Sequence, residues 1–126
     1  DADFLAVAAP LTENTRGIIG MEQMGWLPER AGIINISRGP LIDEEALVKN
    51  LKEGKLSGAI LDVFNEEPLP ADSPLWDTPN LVITPHVSSD DVDNYMPLTL
   101  DLTIRNLRRE MAGEPFENLV DTKKGF

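Results

Sequence analysis

Four short apolar runs, each closed by a proline or a polar turn and the first three separated by stretches of helical character, constrain this chain more than any other feature. They are Phe4-Leu-Ala-Val-Ala-Ala9, Gly32-Ile-Ile-Asn-Ile36, Gly58-Ala-Ile-Leu-Asp-Val63 and Leu81-Val-Ile-Thr84. All four read as strands, and the near-continuous apolarity of the first, Phe4 to Ala9, suits a strand buried on both faces. After the first run, a polar segment from Thr12 to Arg16 leads into a helical stretch around Met21 to Leu27, with Pro28 near its end.

After the second run, Ser37-Arg38-Gly39-Pro40 is a turn signal. Asp43 is an N-cap, and Glu44 and Glu45 suit the positive end of the helix dipole. Leu47, Val48 and Leu51 then form an apolar stripe, and Gly54 is a natural stop. The stretch from Asn65 to Asn80 carries four prolines and reads as a long loop ahead of the last run. Beyond it, Asp90 to Ala112 is helical in pattern, with Val92, Met96, Leu100, Ile104, Leu107 and Met111 as its apolar positions. Pro97 fits only if the regular helix starts nearby or kinks. Gly113-Glu114-Pro115 ends that helix, Phe116 to Val120 reads as a last short strand, and Lys123-Lys124-Gly125 as a mobile tail. Strands alternating with helices imply a parallel sheet joined by right-handed crossovers, an α/β doubly wound architecture.

A chain of 126 residues builds one compact domain with a real core, not two. It begins with Asp1, directly before a strand-like run and without a targeting leader, so it reads as a fragment or a processed product. The longest apolar stretch, Phe4 to Pro10, is too short to span a bilayer. There is no cysteine, which excludes disulfides, thiolate catalysis and Cys-based metal sites; no metal site is read from the sequence, and a cytoplasmic location is the default. The formal charge of −11 repels phosphate backbones and anionic lipids, which argues against nucleic acid and membranes as partners. An acidic surface of this kind aids solubility, and it is also what a host with high internal salt would select.

Ligands of an open parallel sheet bind beyond the carboxyl ends of its strands. Pro10 follows the first strand, Arg38 the second and His86 the fourth. Asp62 closes the third, and Glu67 lies in the loop leaving the same edge. A cation, an acid and a base from separate segments can therefore meet in one crevice. His86 is the only histidine; a lone histidine is commonly structural, but one placed after a buried strand inside Thr-Pro-His points to chemistry. Arg38 beside Gly39 reads equally as a surface salt-bridge partner. Glu66 is a decoy next to Glu67. Asp62 is a carboxylate in an apolar strand, costly unless something binds it. Asp43 and Glu44 look like helix-start residues and carry no catalytic role.

The strings holding these residues resemble a known family. Ile34-Asn35-Ile36-Ser37-Arg38-Gly39-Pro40-Leu41-Ile42-Asp43-Glu44 is similar to the arginine signature of the D-isomer-specific 2-hydroxyacid dehydrogenases. Leu61-Asp62-Val63-Phe64-Asn65-Glu66-Glu67-Pro68-Leu69-Pro70 resembles their glutamate segment, and Thr84-Pro85-His86-Val87-Ser88-Ser89 their histidine segment. Ala9-Pro10-Leu11-Thr12-Glu13-Asn14-Thr15 resembles the cofactor loop ahead of them. Each string alone is weak, whereas four in order along nearly the whole chain are specific.

The resemblance implies a partial Rossmann-like domain in residues 1–112, with 113–126 returning toward a substrate domain. It implies an oxidoreductase moving a hydride between NAD or NADP and a small 2-oxo acid or D-2-hydroxy acid, glyoxylate or hydroxypyruvate among them, in a homodimer. His86 would give a proton to the keto oxygen and take it back in reverse. Glu67 would pair with His86 and keep the imidazolium available near neutral pH. Arg38 would hold the substrate carboxylate and polarise the carbonyl. Asp62 would accept a hydrogen bond from the nicotinamide carboxamide. Pro10, Thr15, Ile36, Ser37, Arg38, His86, Ser88 and Ser89 would line the cofactor. The Gly-x-Gly-x-x-Gly turn that cradles a pyrophosphate does not occur in this sequence, nor does most of a substrate domain, so the isolated chain is expected to be inactive. Ser88-Ser89 stands where the family commonly has a glycine, and Pro97 interrupts its usual helix. Two further readings are a nucleotide-sensing module of the corepressor type, without turnover, and a folding fragment with no function of its own. The presence of Arg38, Glu67 and His86 together argues against the first, a purely regulatory role.

Overall fold

The computed structural model describes residues 2–124 and divides into two compact units, residues 1–88 and 89–126. Gly125, the end of the expected tail, lies outside the described residues. The first unit holds strands β1 (Phe4–Val7), β2 (Gly32–Asn35), β3 (Gly58–Leu61) and β4 (Leu81–Ile83), ordered β1-β2-β3-β4 and all parallel. Helix α1 (Met21–Met24) and helix α2 (Glu44–Lys52) form two of the crossovers. The expected parallel α/β architecture is what the chain adopts.

Val7, Asn35, Leu61 and Ile83 share one register row, and each is the last residue of its strand. The four strands thus end together, and the loops after them leave from one rim. That rim gathers the residues singled out in the sequence.

Crossovers of one hand, stepping across the sheet in one direction, place their helices on one face. Ile33, Ala59 and Leu61 on that face pack with Leu47, Leu51 and Met24 of the helices in the main core. The opposite face carries Phe4, Ile60 and Val82, which are exposed. The expectation that the first strand is buried on both faces is therefore corrected: Phe4 is exposed, and among the described residues the helices of this unit cover one face.

Helix α1 is also shorter than expected and stops at Gly25. Helix α2 begins as the sequence predicts. The Asp43 side chain accepts from the Ala46 amide at 3.0 Å, a cap worth about 1 kcal/mol. Gly54, at φ 69°, lies just past the helix end.

The second unit contains helix α3 (Tyr95–Ala112), ended by Gly113 in the left-handed region. Pro97 is tolerated because it sits in the first turn, where no intrahelical donor is needed. The strand expected at Phe116 to Val120 does not form. Glu117 instead folds back onto α3: its amide donates to Asn106 Oδ1 at 2.8 Å, and its carbonyl accepts from Asn106 Nδ2 at 3.1 Å. Those bonds occupy backbone groups that a strand would have offered to a neighbour.

Candidate active site

The loop after β2 is held from below by a buried amide. Asn35, 1% exposed, donates to the Arg38 carbonyl at 3.0 Å and accepts from the Ser37 amide at 3.1 Å. The Ser37 hydroxyl donates to the Ala9 carbonyl and ties this loop to the end of β1. Arg38 is exposed, and its Nη1 donates to the Ser37 carbonyl at 2.6 Å. Ile36 is half exposed beside it. Pro10 is also exposed at the rim, its carbonyl accepting from the Thr15 hydroxyl at 2.7 Å.

Gly39 brings this loop against the next. A Cβ at that position would lie 1.9 Å from the Phe64 carbonyl carbon and 2.4 Å from the Asn65 nitrogen. Backbone therefore meets backbone, and only glycine permits the approach.

Two carboxylates shape the loop that carries Glu67. Glu44 Oε1 accepts from the Asn65 amide at 2.7 Å, and Glu67 Oε1 accepts from the Phe64 amide at 2.9 Å. The second oxygen of Glu67 lies 2.7 Å from His86 Nδ1. The Phe64 amide is the main cause holding the Glu67 carboxyl below the usual carboxylate range, against the opposing effect of burial, and the His86 and Arg38 charges act in the same direction. The carboxylate and the imidazole predicted from sequence are thus in contact.

His86 is presented by a tight turn. Its amide donates to the Thr84 carbonyl at 3.1 Å, and its φ of 57° is left-handed, a conformation that costs a non-glycine residue roughly 1–2 kcal/mol. Beneath the turn lies Asp62, 1% exposed. Its Oδ1 accepts from the Thr84 hydroxyl and from the Val87 amide at 2.9 Å, and its Oδ2 from the Ser88 amide at 2.8 Å. Burial alone would raise the Asp62 carboxyl. Hydrogen bonds from the Thr84 and Ser88 hydroxyls and the Val87 and Ser88 amides outweigh it and hold the group far below the usual range.

Of the residues read from sequence, Glu67 and His86 are in contact, Arg38 acts on Glu67, and Asp62 lies under the His86 turn. Ser89 begins the second unit and is exposed. Sequence reading missed Asn35, Gly39 and Thr84, and gave Glu44 only its helix-start role. Asn35 carried a usable signal, since a polar side chain inside an apolar strand must be satisfied, the same reasoning that singled out Asp62.

The two depressed carboxyls give the fold a defined acid limb. Both ionise at lower pH when folded than when unfolded, so their stabilisation is complete above the unfolded range near pH 4 and is lost as pH falls through the folded values. Urea midpoints should accordingly decline below about pH 4, and less steeply in Asp62→Asn. An equally steep decline in that variant would show that Asp62 is not a source of the effect.

Beside Glu67 and His86 opens a cavity of about 540 Å³, walled by Phe64, Leu69, Trp76, Ile83 and Pro85. The Trp76 indole is fixed by donation to the Pro70 carbonyl at 2.8 Å. An apolar chamber of this size with a few convergent polar groups suits a small molecule.

Residues 1–88 match the model of the D-isomer specific 2-hydroxyacid dehydrogenase NAD binding domain. The chain belongs to this family. A relative named glyoxylate/hydroxypyruvate reductase B, from Pectobacterium carotovorum subsp. carotovorum (strain PC1), is 42% identical over 121 residues, covering 96% of this chain and 38% of its own. A D-isomer specific 2-hydroxyacid dehydrogenase from Xanthobacter autotrophicus Py2, solved with NADPH and MES, superposes with a TM-score of 0.91 at 41% identity, covering 99% of this chain and 50% of the other. An NADPH-dependent glyoxylate/hydroxypyruvate reductase from Sinorhizobium meliloti, solved with NADP and sulfate, gives 0.90 at 34% identity, covering 98% and 40%. The chain spans about two fifths of the length of the curated relatives it matches. No helix among the described residues is long and apolar enough to cross a membrane.

Proposed function

We propose that this chain carries the catalytic half of the nucleotide-binding domain of an NAD(P)-dependent reductase acting on a small 2-oxo acid such as glyoxylate or hydroxypyruvate. The observation that carries this reading is the 2.7 Å pair between His86 Nδ1 and Glu67. Because Nδ1 faces Glu67, Nε2 is the nitrogen left to face a substrate. It delivers a proton to the carbonyl oxygen on reduction and recovers it on oxidation. Arg38 is exposed at the rim, where its planar fork can engage the carboxylate of a 2-oxo acid and draw charge toward the carbonyl oxygen.

The rim also fits the flat face of a nicotinamide: exposed Ile36 and Val87 offer apolar surface within two residues of Arg38 and His86. Pro10, Ile36, Arg38 and Ser88 would hold the ring end of the cofactor, which supplies the hydride when bound. The pyrophosphate needs a glycine turn that this sequence does not contain. We therefore assign turnover to a longer protein, with residues 113–126 leading back toward its substrate-binding part. Its relatives' names support the substrate class; the family resemblance is the ground for proposing a homodimer, and the cytoplasm is kept as the default location.

The test is Arg38→Gln in the full-length enzyme. Removing a charge-assisted contact worth about 1.5–3 kcal/mol should lower kcat/KM for the 2-oxo acid by roughly 10- to 100-fold. Unaltered kcat/KM would remove Arg38 from the site.

A further inference from the structure

We propose that Asp62 is the positioning residue for His86: its buried carboxylate grips the turn on both sides of the histidine and so sets where the ring points. Oδ1 takes the Thr84 hydroxyl, two residues before His86, and the Val87 amide, one residue after it; Oδ2 takes the Ser88 amide. Asp62 is itself fixed to the sheet, since its amide donates to the Asn35 carbonyl at 3.0 Å. A rigid path therefore runs from the parallel sheet through one carboxylate to the histidine turn.

Glu67 cannot supply this hold. It meets only the ring, and both side chains of that pair are partly exposed, at 43% for His86 and 35% for Glu67. The turn needs an external grip, because His86 occupies a left-handed backbone conformation that its own side chain does not favour. A carboxylate is the group that suits the place: two oxygens accept donors from three directions, whereas an asparagine amide has one acceptor oxygen and would turn its NH2 toward a backbone N–H. This role differs from the one implied by family resemblance, an acceptor for the nicotinamide carboxamide, and it rests on the assignment of His86 as proton donor.

The test uses the fact that His86 is the chain's only histidine. A long-range 1H–15N spectrum of the labelled 126-residue chain, recorded above the ordinary histidine titration range, reads the tautomer of that one ring. The wild type should show the Nδ1–H form, bonded to Glu67, and Glu67→Ala the tautomer mixture of a free imidazole. Asp62→Asn should move His86 to the Glu67→Ala pattern although Glu67 is intact. Thr84→Val, which keeps the Asp62 charge and removes one of its donors, should move it part of the way, and Thr84→Ser should stay at wild type. If Asp62→Asn does not fold, the two Thr84 variants decide. Wild-type spectra in both Asp62→Asn and Thr84→Val would overturn the clamp. A wild-type chain already in the free mixture would overturn the His86–Glu67 pairing itself, and the clamp with it. In the full-length enzyme, Asp62→Asn should lower kcat by about 100-fold, the scale of an ångström-sized misplacement. Weakened cofactor binding at normal kcat would instead make Asp62 a cofactor ligand and contradict the proposal.

Discussion

Replacing His86 with alanine in the full-length enzyme should lower kcat by about 10²- to 10⁴-fold, the range of a general acid–base group, and leave the dissociation constant of the nicotinamide cofactor nearly unchanged. The asymmetry follows from the geometry. The imidazole is tied through Nδ1 to Glu67, so its remaining nitrogen serves the proton and not the cofactor's phosphates or ribose. The backbone that presents it is held by Asp62 through the Thr84 hydroxyl and the Val87 and Ser88 amides, contacts that alanine leaves in place. Steady-state kinetics with a 2-oxo acid, paired with fluorescence titration of NADPH, separates the two effects. Turnover within a few-fold of wild type would remove His86 from the chemistry, and a parallel loss of cofactor affinity would show that it acts in binding.

Gly39→Ala should have the largest effect on folding of any single added methyl group at the rim. The new carbon would fall 1.9 Å from the Phe64 carbonyl carbon and 2.1 Å from its oxygen. Both contacts are with backbone, so no side-chain rotation relieves them. The loop bearing Phe64 is also pinned from the other side, by Glu44 to the Asn65 amide and by Glu67 to the Phe64 amide. Overpacking in a core commonly costs 1–3 kcal/mol, and a clash between two tethered backbones belongs at or above about 3 kcal/mol. Urea denaturation of the chain measures it directly. Relief by separating the loops would also carry Arg38 away from Glu67, so residual folded protein should lose activity as well. A stability within about 0.5 kcal/mol of wild type, the usual scatter of neutral surface changes, would mean that the two loops do not touch.

The order of strands and helices was legible because apolar runs and turn residues report burial and chain reversal directly. Strand ends were less so. The runs Phe4–Ala9 and Gly58–Val63 continue past the ladder, which stops at Val7 and Leu61. Val63 and Phe64 are buried all the same, at 1% and 6% exposure, so their apolarity records the core beneath the loop and not strand pairing. The expected cover on both faces of the first strand failed for a related reason: continuous apolarity says that a face is sticky, not which segment covers it. The strand expected at Phe116 to Val120 was lost to a side chain, Asn106, whose affinity for the Glu117 backbone no periodicity reveals.

Within the site, the groups proposed to be chemically active stand out in the sequence and their supports mostly do not. Arg38, Glu67 and His86 stand out because cations, acids and imidazoles at strand ends have few structural uses. Gly39 read as a turn, yet its φ is not left-handed and its function is the absence of a side chain against Phe64. Thr84 looked like the end of a strand, and only coordinates place its hydroxyl on Asp62.

That Arg38 and His86 serve one reacting centre is tested most directly by the kcat/KM of the double variant Arg38→Gln, His86→Ala in the full-length enzyme, set against both single variants. Groups that act as a unit on one substrate are grossly non-additive, so the double variant should fall little below the worse of the two. Losses that multiply in full would place the guanidinium and the imidazole at separate sites and contradict the account.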